Sequence, residues 1–506
     1  MDAMRVLIDG ECREADAAAV FQAENPSTGR KINRTFPVSR WSDCDAALTA
    51  AAKAAQELEQ VPSEKIAEFL EEYAAGIDGD SKALVETAHE ETGLPYKPRL
   101  AEVELPRTTN QLRQAAAAAR EQSWRRVTID RERNLRSCLG PIGPVVVFGP
   151  NNFPFAYNAV CGGDFAAAIA AGNPVIAKAH PLHPGTSLIF ATMALSVIKR
   201  LQLPPAMVQM IYHVEPETGL SLVSDRRVGA IAFTGSKASG LALKRAADDA
   251  GRPIYLEMSS LNPVVFLPEG MKENAPKWAA ELADSCTAGS GQFCTRPNLV
   301  FMIDGDGAET FLGELVDAFK AREPHTMLAA SVRDRLNESI GALRTAGAEI
   351  VTGGGNIEGE GYRHENTLLR VTGKAFLTKP AEFQREAFGN EVLAVTVDEE
   401  KELLAVLDRL EGNLTASIYS SASGADNALY DRVAPRLRRK SGRFLNDKMP
   451  TGVAVSPAMN HGGPYPSTGH PGWTAVGIPA AITRFTALQC YDNVREERLP
   501  AFLRGA

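Results

Sequence analysis

A chain of 506 residues, 44% of them apolar, is long enough to bury more than one hydrophobic core, so two or three domains are expected. Its formal net charge of −8 argues against a polyanionic partner, because phosphate-backbone binding draws on excess Lys and Arg; nucleic acid is excluded as the main ligand. No apolar run approaches the roughly 20 residues needed to span a bilayer, and "MDAMRVLIDGECREAD" breaks its one short apolar stretch with acids, unlike a secretory leader. No membrane partner and a cytoplasmic location are expected.

Residues 42–60, "SDCDAALTAAAKAAQELEQ", open with Ser and Asp before an alanine-rich period and read as an N-capped helix, and further helical stretches follow over 63–90 and 99–121. The segment 124–143 alternates β-formers with charges before a Pro-Gly break and reads as an exposed strand pair. From 144 the rhythm is strand then helix. "PVVVFGP", "NPVIAKA", "MVQMIYHV", "VGAIAFTGS" and "PIYLEMS" are strands, separated by helical patterns at 165–172, 186–201 and 237–250. Uninterrupted apolar strands alternating with amphipathic helices imply an α/β fold with a parallel sheet covered on both faces, which places ligands at the carboxyl ends of the strands. A second alternating set from about 260 to 445 includes "NPVVFLP", "TFLGELVDAFKA", "LTASIYS" and "SGRFLND". The tail 480–494 reads as a strand able to pair with the ribbon at 124–140.

The seven cysteines are scattered without a CxxC pair, as suits a reducing compartment. No metal site is expected: His180 and His183 stand three apart across two prolines, with no Cys or acid close by in sequence. Four other places concentrate chemistry. "AFTGSKASG" ends a strand and starts a helix, so Gly235 and Gly240 permit close backbone approach and the helix N-terminus offers N–H donors to a diphosphate, although such a turn can serve only to reverse the chain. In "FGPNNFPFAYN", Asn152 is placed to donate to a developing oxyanion, or else to make a turn. Glu257 and Lys178 end two of the strands, where a carboxylate serves as a base and an ammonium binds cofactor hydroxyls or phosphates, the alternative being solvated surface charge. Cys294 in "GSGQFCTRPNLVF" needs thiolate character to act as a nucleophile; read alone, it is one more buried thiol.

Taken together, "NFP" around Asn152, Lys178, "FTGS…G", Glu257, "GQFCT" and "EAFGN" occur in one order along the chain, and that set resembles the aldehyde dehydrogenase superfamily over essentially its whole length. "RTTNQLR" at 107–113, "KAHPLHPGTS", "HGGPYPST" at 461–468 and the ending "RFTALQCYDN" look most like the branch containing α-ketoglutaric semialdehyde (2,5-dioxovalerate) dehydrogenases. The resemblance implies a Rossmann-like cofactor domain (1–122 and 142–258), a second α/β catalytic domain (259–445), a small β oligomerisation arm (123–141 and 480–498) and a substrate-channel and return segment (446–479). It also implies a homodimer or homotetramer. The resemblance makes Cys294 the nucleophile, with Asn152 and the Cys294 N–H holding the oxyanion and Glu257 activating water, and no His partner is called for. Lys178, Gly235, Ser236, Gly240, Glu386 and Phe388 match the cofactor-binding positions, with Phe155 and Arg296 as substrate candidates.

Three departures carry expectations of their own. Pro181 stands where many members have a glutamate that repels a 2′-phosphate, so NADP is expected to be accepted at least as well as NAD, with His180, Lys237 or Arg245 helping to neutralise the phosphate. "EMSS" puts Ser259 and Ser260 where glycines are usual, and "FGN" puts Asn390 where proline is usual, with an expected effect on loop rigidity. Two other aldehyde classes, aliphatic and other semialdehydes, stay open, as does a cofactor-independent thiol hydrolase or acyltransferase.

Overall fold

The computed structural model describes residues 3–504, so residues 1–2 of the first expected span lie outside the described residues. A seven-stranded sheet runs in the order Ile254–Glu257, Ala230–Thr234, Val145–Phe148, Val175–Lys178, Val208–Ile211, Val6–Ile8, Glu11–Arg13. The first five strands are parallel and their apolar runs are buried almost throughout, because helices cover both faces. The last two form an antiparallel hairpin added at the edge. Chain order reverses between Val145–Phe148 and Ala230–Thr234. The loops leaving those strands therefore diverge, and the crevice between them is where an open α/β sheet takes its ligand.

A second seven-stranded sheet runs Glu349–Thr352, Thr367–Thr372, Glu391–Val397, Leu299–Ile303, Val264–Phe266, Asn413–Tyr419, Ser441–Asn446, and its first strand alone is antiparallel. Phe266 centres an aromatic cluster beneath it, 4.5 Å from Phe311, 5.2 Å from Tyr419 and 5.8 Å from Trp278 between ring centroids. The third sheet is the expected ribbon: Leu135–Pro141 pairs antiparallel with both Thr128–Asp130 and Thr486–Asp492. The outer strand leaves Leu488 75% exposed. No helix of the described residues is long and apolar enough to cross a membrane.

Several expectations shift in detail. The first helix begins at Trp41 with no side-chain cap; Ser42 instead donates to Asp16, and Asp43 is buried against Arg13 at 3.4 Å. The stretch 63–90 splits at Asp80 into Ser63–Gly79 and Ser81–Thr92. The strand over 207–214 breaks after Ile211, and His213–Val214 leaves to pair with Phe36–Ser39. Residues Ala480–Phe485 form a tight helical turn, not a strand, because Arg484 must turn inward to meet Asp164.

That Arg484–Asp164 pair, 2.7 Å apart and nearly buried, ties the C-terminal segment to the helix Gly163–Ala170. Removing one partner strands the other charge in a dry site. Asp164→Ala should therefore cost about 3–5 kcal/mol, read as a lowered denaturant midpoint at unchanged slope.

Candidate active site

Cys294 sits in the connection between the helix Pro268–Thr287 and the strand Leu299–Ile303. Gly289, Ser290 and Gly291 all have positive φ (55°, 52° and 69°), which folds this connection back on itself. At Gly291 a side chain has no room: a Cβ would lie 2.0 Å from the Gly389 carbonyl oxygen. The turn therefore packs backbone to backbone against "FGN". Asn390, the departure from the usual proline, pins that loop by donating to the His364 carbonyl and to Asn366 Oδ1, both at 2.8 Å. Asn262, buried after "EMSS", donates to the carbonyls of both Cys294 and Arg296, at 2.9 and 2.8 Å. Ser260 completes the support by bonding Asn262 Oδ1 at 2.9 Å.

The thiol has a histidine beside it, which the sequence reading did not anticipate. His461 Nε2 lies 3.6 Å from Cys294 Sγ and 2.9 Å from Glu257 Oε1. Glu257 ends its strand as expected and is 6% exposed, while His461 arrives from "NHGGPYPST". That segment is stitched to the same strand end: Met258 N donates to the Ser467 carbonyl at 2.8 Å, and Glu257 bridges to Thr468. Thr474 Oγ1 fixes the His461 backbone at 2.8 Å. The thiol, imidazole and carboxylate atoms all lie within 4.8 Å of one another, the one grouping of three such donors among the described residues. Because a single nitrogen serves both neighbours, the arrangement suits proton movement between them. Burial, helped by the Glu257 and Glu386 carboxylates, pushes the Cys294 thiol well above its ordinary range, with the Arg107 guanidinium opposing. The resting thiol is therefore protonated and needs a base.

Asn152 is buried and donates one of its two amide hydrogens to the Gln292 carbonyl at 2.9 Å, which fixes the amide and leaves the second hydrogen for another acceptor. Its own carbonyl accepts from Arg99 at 3.1 Å.

A cleft of about 490 Å³ opens at the strand-order reversal and runs to the thiol. It is lined by Pro150, Asn152, Gly235, Ser236, Glu257, Cys294, Glu386 and Phe388. Gly235 and Gly240 are small because Phe233 and Met258 crowd them: added Cβ atoms would meet Phe233 at 2.8 Å and Met258 at 3.0 Å. The Ser236 hydroxyl caps the helix Lys237–Asp249 by accepting from Ser239 N. The backbone donors of that first turn face an anion best. Glu386 accepts from Ser260 N at 3.4 Å, and burial raises its proton affinity. Lys178 ends the neighbouring strand, where burial pulls its ammonium down to about 8. The fit to a dinucleotide is good: uncapped N–H groups for phosphates, a carboxylate and an ammonium for hydroxyls, and an aromatic ring near the thiol. The surroundings of a 2′-phosphate differ from expectation. Burial, with His183, Lys178 and His213 nearby, holds His180 well below the usual imidazole range, so it offers a ring N–H and no charge. Lys237 is engaged by Glu411 at 3.3 Å.

Two substrate candidates sit elsewhere. Phe155 is fully buried, edge-on to Phe190 at 5.7 Å, with its N–H given to Glu104, so it packs the core and lines no channel. Arg296 is 1% exposed, and its guanidinium is saturated by the carbonyls of Pro297, Ala387 and Glu391 and by Asn298 Oδ1, with the Glu391 carboxylate 4.0 Å away. It ties the Cys294 turn to the "FGN" loop. The apolar wall comes instead from Phe153, Tyr157 and Val476 with Phe293, Val453, Val455 and Met459. Arg296→Met should lower the melting temperature and slow turnover of acidic and neutral aldehydes by the same factor; a selective loss on acidic aldehydes would return Arg296 to the substrate site.

Comparison with known proteins bears on the family and the fold. The aldehyde dehydrogenase family model matches residues 13–472. The chain is 37% identical over 502 residues to α-ketoglutaric semialdehyde dehydrogenase 2 of Azospirillum brasilense, covering 97% of this chain and 94% of that one. It is 34% identical over 512 residues to α-ketoglutaric semialdehyde dehydrogenase of Acinetobacter baylyi, covering 98% and 95%. The fold superimposes on a crystal structure of PnpE in complex with nicotinamide adenine dinucleotide with a TM-score of 0.83, at 22% identity and over 98% and 99% of the two chains. With a family model spanning most of its length and such relatives end to end, the chain belongs to the aldehyde dehydrogenase family, as an oxidoreductase acting on aldehydes.

Proposed function

We propose that this chain oxidises α-ketoglutaric semialdehyde (2,5-dioxopentanoate) to 2-oxoglutarate with NADP or NAD, through a covalent intermediate on Cys294. The observation that carries the chemistry is the single imidazole nitrogen between Cys294 Sγ and the Glu257 carboxylate. The choice of aldehyde is supported by two relatives whose names specify it, matched nearly end to end. In this reading residues 1–122 and 142–258 bind the cofactor, 259–445 carry the nucleophile, and the 123–141 and 480–498 arm joins subunits into a dimer or tetramer.

His461 Nε2 accepts the thiol proton, and the imidazolium so formed is neutralised by Glu257 at 2.9 Å. The thiolate attacks the aldehyde carbon. Its oxygen takes negative charge and receives the free Asn152 amide hydrogen together with the Cys294 N–H; a preorganised donor of this kind contributes roughly 3–4 kcal/mol. Gly235, Ser236 and the helix N-terminus would hold the phosphates of a dinucleotide, Lys178 and Glu386 its ribose hydroxyls, with Phe388 beside it. Bound there, a nicotinamide dinucleotide supplies the acceptor of two electrons and one hydrogen. The substrate carbon is left as a thioester on Cys294. Once His461 has released its proton to solvent, Glu257 takes a proton from water; hydroxide adds to the thioester, the carboxylic acid leaves, and Glu257 returns its proton to the departing sulfur.

Cys294→Ala should abolish nucleotide reduction with any aldehyde, and survival of the activity would overturn the mechanism. Because the thiol lies above its usual range, its alkylation by iodoacetamide in the free enzyme should rise about tenfold per pH unit through pH 8 without levelling. His461→Gln should slow the chemical step more than it changes aldehyde KM.

The Lys178 ammonium is present below about pH 8 and lost above it. Dinucleotide affinity of the free enzyme should therefore weaken as pH rises through 8, more steeply for NADP than for NAD, and Lys178→Arg should flatten that dependence. A large steady-state preference for NAD at pH 7 would remove the NADP part of the proposal.

A further inference from the structure

Three arginines stand near the nucleophile's apolar wall, and their surroundings differ. Arg99 is neutralised by Glu104 at 2.5 Å and stacks over Phe153, its guanidinium carbon 4.4 Å from the ring centroid. Arg107, from the helix Leu105–Glu121, donates to the Val453 carbonyl at 2.5 Å and to the Tyr157 hydroxyl at 3.1 Å, and its buried Nε has no partner. Arg443, on the strand Ser441–Asn446, donates to the carbonyls of Gly452, at 2.8 Å, and of Pro450. Among the described residues neither Arg107 nor Arg443 has an ion pair with an acid. Both brace one segment, 450–453, whose Val453 joins Phe153, Tyr157 and Phe293 in the apolar wall beside Cys294. Both are near enough to Cys294 for its charge to be felt.

We propose that Arg107 and Arg443 form an anion seat that holds the carboxylate of an acidic aldehyde while its aldehyde end lies at Cys294. This rests on the reading above that Cys294 attacks an aldehyde, and it names the residues that select an acidic one. Half-buried guanidiniums without acids have lost part of their hydration and keep an unanswered charge; a carboxylate relieves both costs and accepts from donors the protein leaves free. Arg296 and Arg99 cannot do this, because protein acceptors already hold them. An apolar wall between seat and thiol gives the substrate carbon chain a dry path and leaves the two ends as the polar contacts.

The test compares 5-oxopentanoate with pentanal, which share a chain length and differ in the remote carboxylate. Wild-type enzyme should favour 5-oxopentanoate in kcat/KM, and glutarate should inhibit competitively against the aldehyde. In Arg443→Gln the kcat/KM for 5-oxopentanoate should fall at least about tenfold further than that for pentanal, mainly through KM, as loss of a charged hydrogen bond predicts. Arg443→Lys should recover part of the difference, and glutarate inhibition should be lost in the Gln variant. Equal losses on both aldehydes at a matched melting temperature overturn the seat, as does a wild-type enzyme indifferent to both the carboxylate and glutarate. Should Arg443→Gln not fold, the wild-type preference and the glutarate inhibition decide alone. If wild type oxidises neither aldehyde, the reading of Cys294 fails separately, and calorimetric titration of wild type and Arg443→Lys with glutarate still decides the seat.

Discussion

The arrangement of this site turns on one atom, the imidazole nitrogen of His461 within reach of both a thiol and a carboxylate. The half-buried Cys294 thiol lies beside two carboxylates and holds its proton, so the surroundings that shield it from water also lower its nucleophilicity. An imidazole nitrogen at 3.6 Å is the nearest group placed to take that proton. The carboxylate on its other side gives the transferred proton a counter-charge in a site where an isolated imidazolium is costly.

Holding three groups to this geometry takes three separate pieces of chain. Glu257 comes from the end of the parallel edge strand Ile254–Glu257, which pairs with Ala230–Thr234. Cys294 comes from a turn built on three left-handed residues, which Asn262 grips through its carbonyls from below. His461 comes from a long segment with little regular structure, held in place by Thr474 at its own backbone and by Met258 and Glu257 bonding its neighbours Ser467 and Thr468. The strand that presents the carboxylate thus also registers the histidine. Precision at the two groups is correlated by construction, and an error in one moves both.

Much of this architecture was legible in the sequence. Parallel strands such as VVVF and VIAK announce themselves because burial on both faces removes any polar alternation, and their ends locate Glu257 and Lys178. The ribbon at 128–141 was readable from alternation and its partner from the β-rich tail. The N-terminal hairpin was not, since "ECR" carries no apolar period and takes its strand form from the sheet edge it joins. His461 escaped for a related reason. It lies in a Gly- and Pro-rich stretch without secondary-structure signal, and 167 residues separate it from Cys294, so only tertiary folding makes it a neighbour. Phe155 was misplaced because the turn after Asn152 alternates sides: Phe153 and Tyr157 face the wall while Phe155 turns into the core.

The arginines show why residue type near a nucleophile is weak evidence of its task. A guanidinium has five donors, and its role follows from how many the protein itself satisfies. Arg296, two residues from the thiol, meets three carbonyls and an amide oxygen inside a closed shell. It acts as a backbone staple, and its closeness in sequence to Cys294 says nothing of substrate. Arg107 and Arg443 are remote in sequence and meet only neutral oxygens, so no acid of the described residues compensates their charge. A folded protein tolerates uncompensated charge when a ligand completes it, and under the seat proposed above the acid that completes these two is the substrate's.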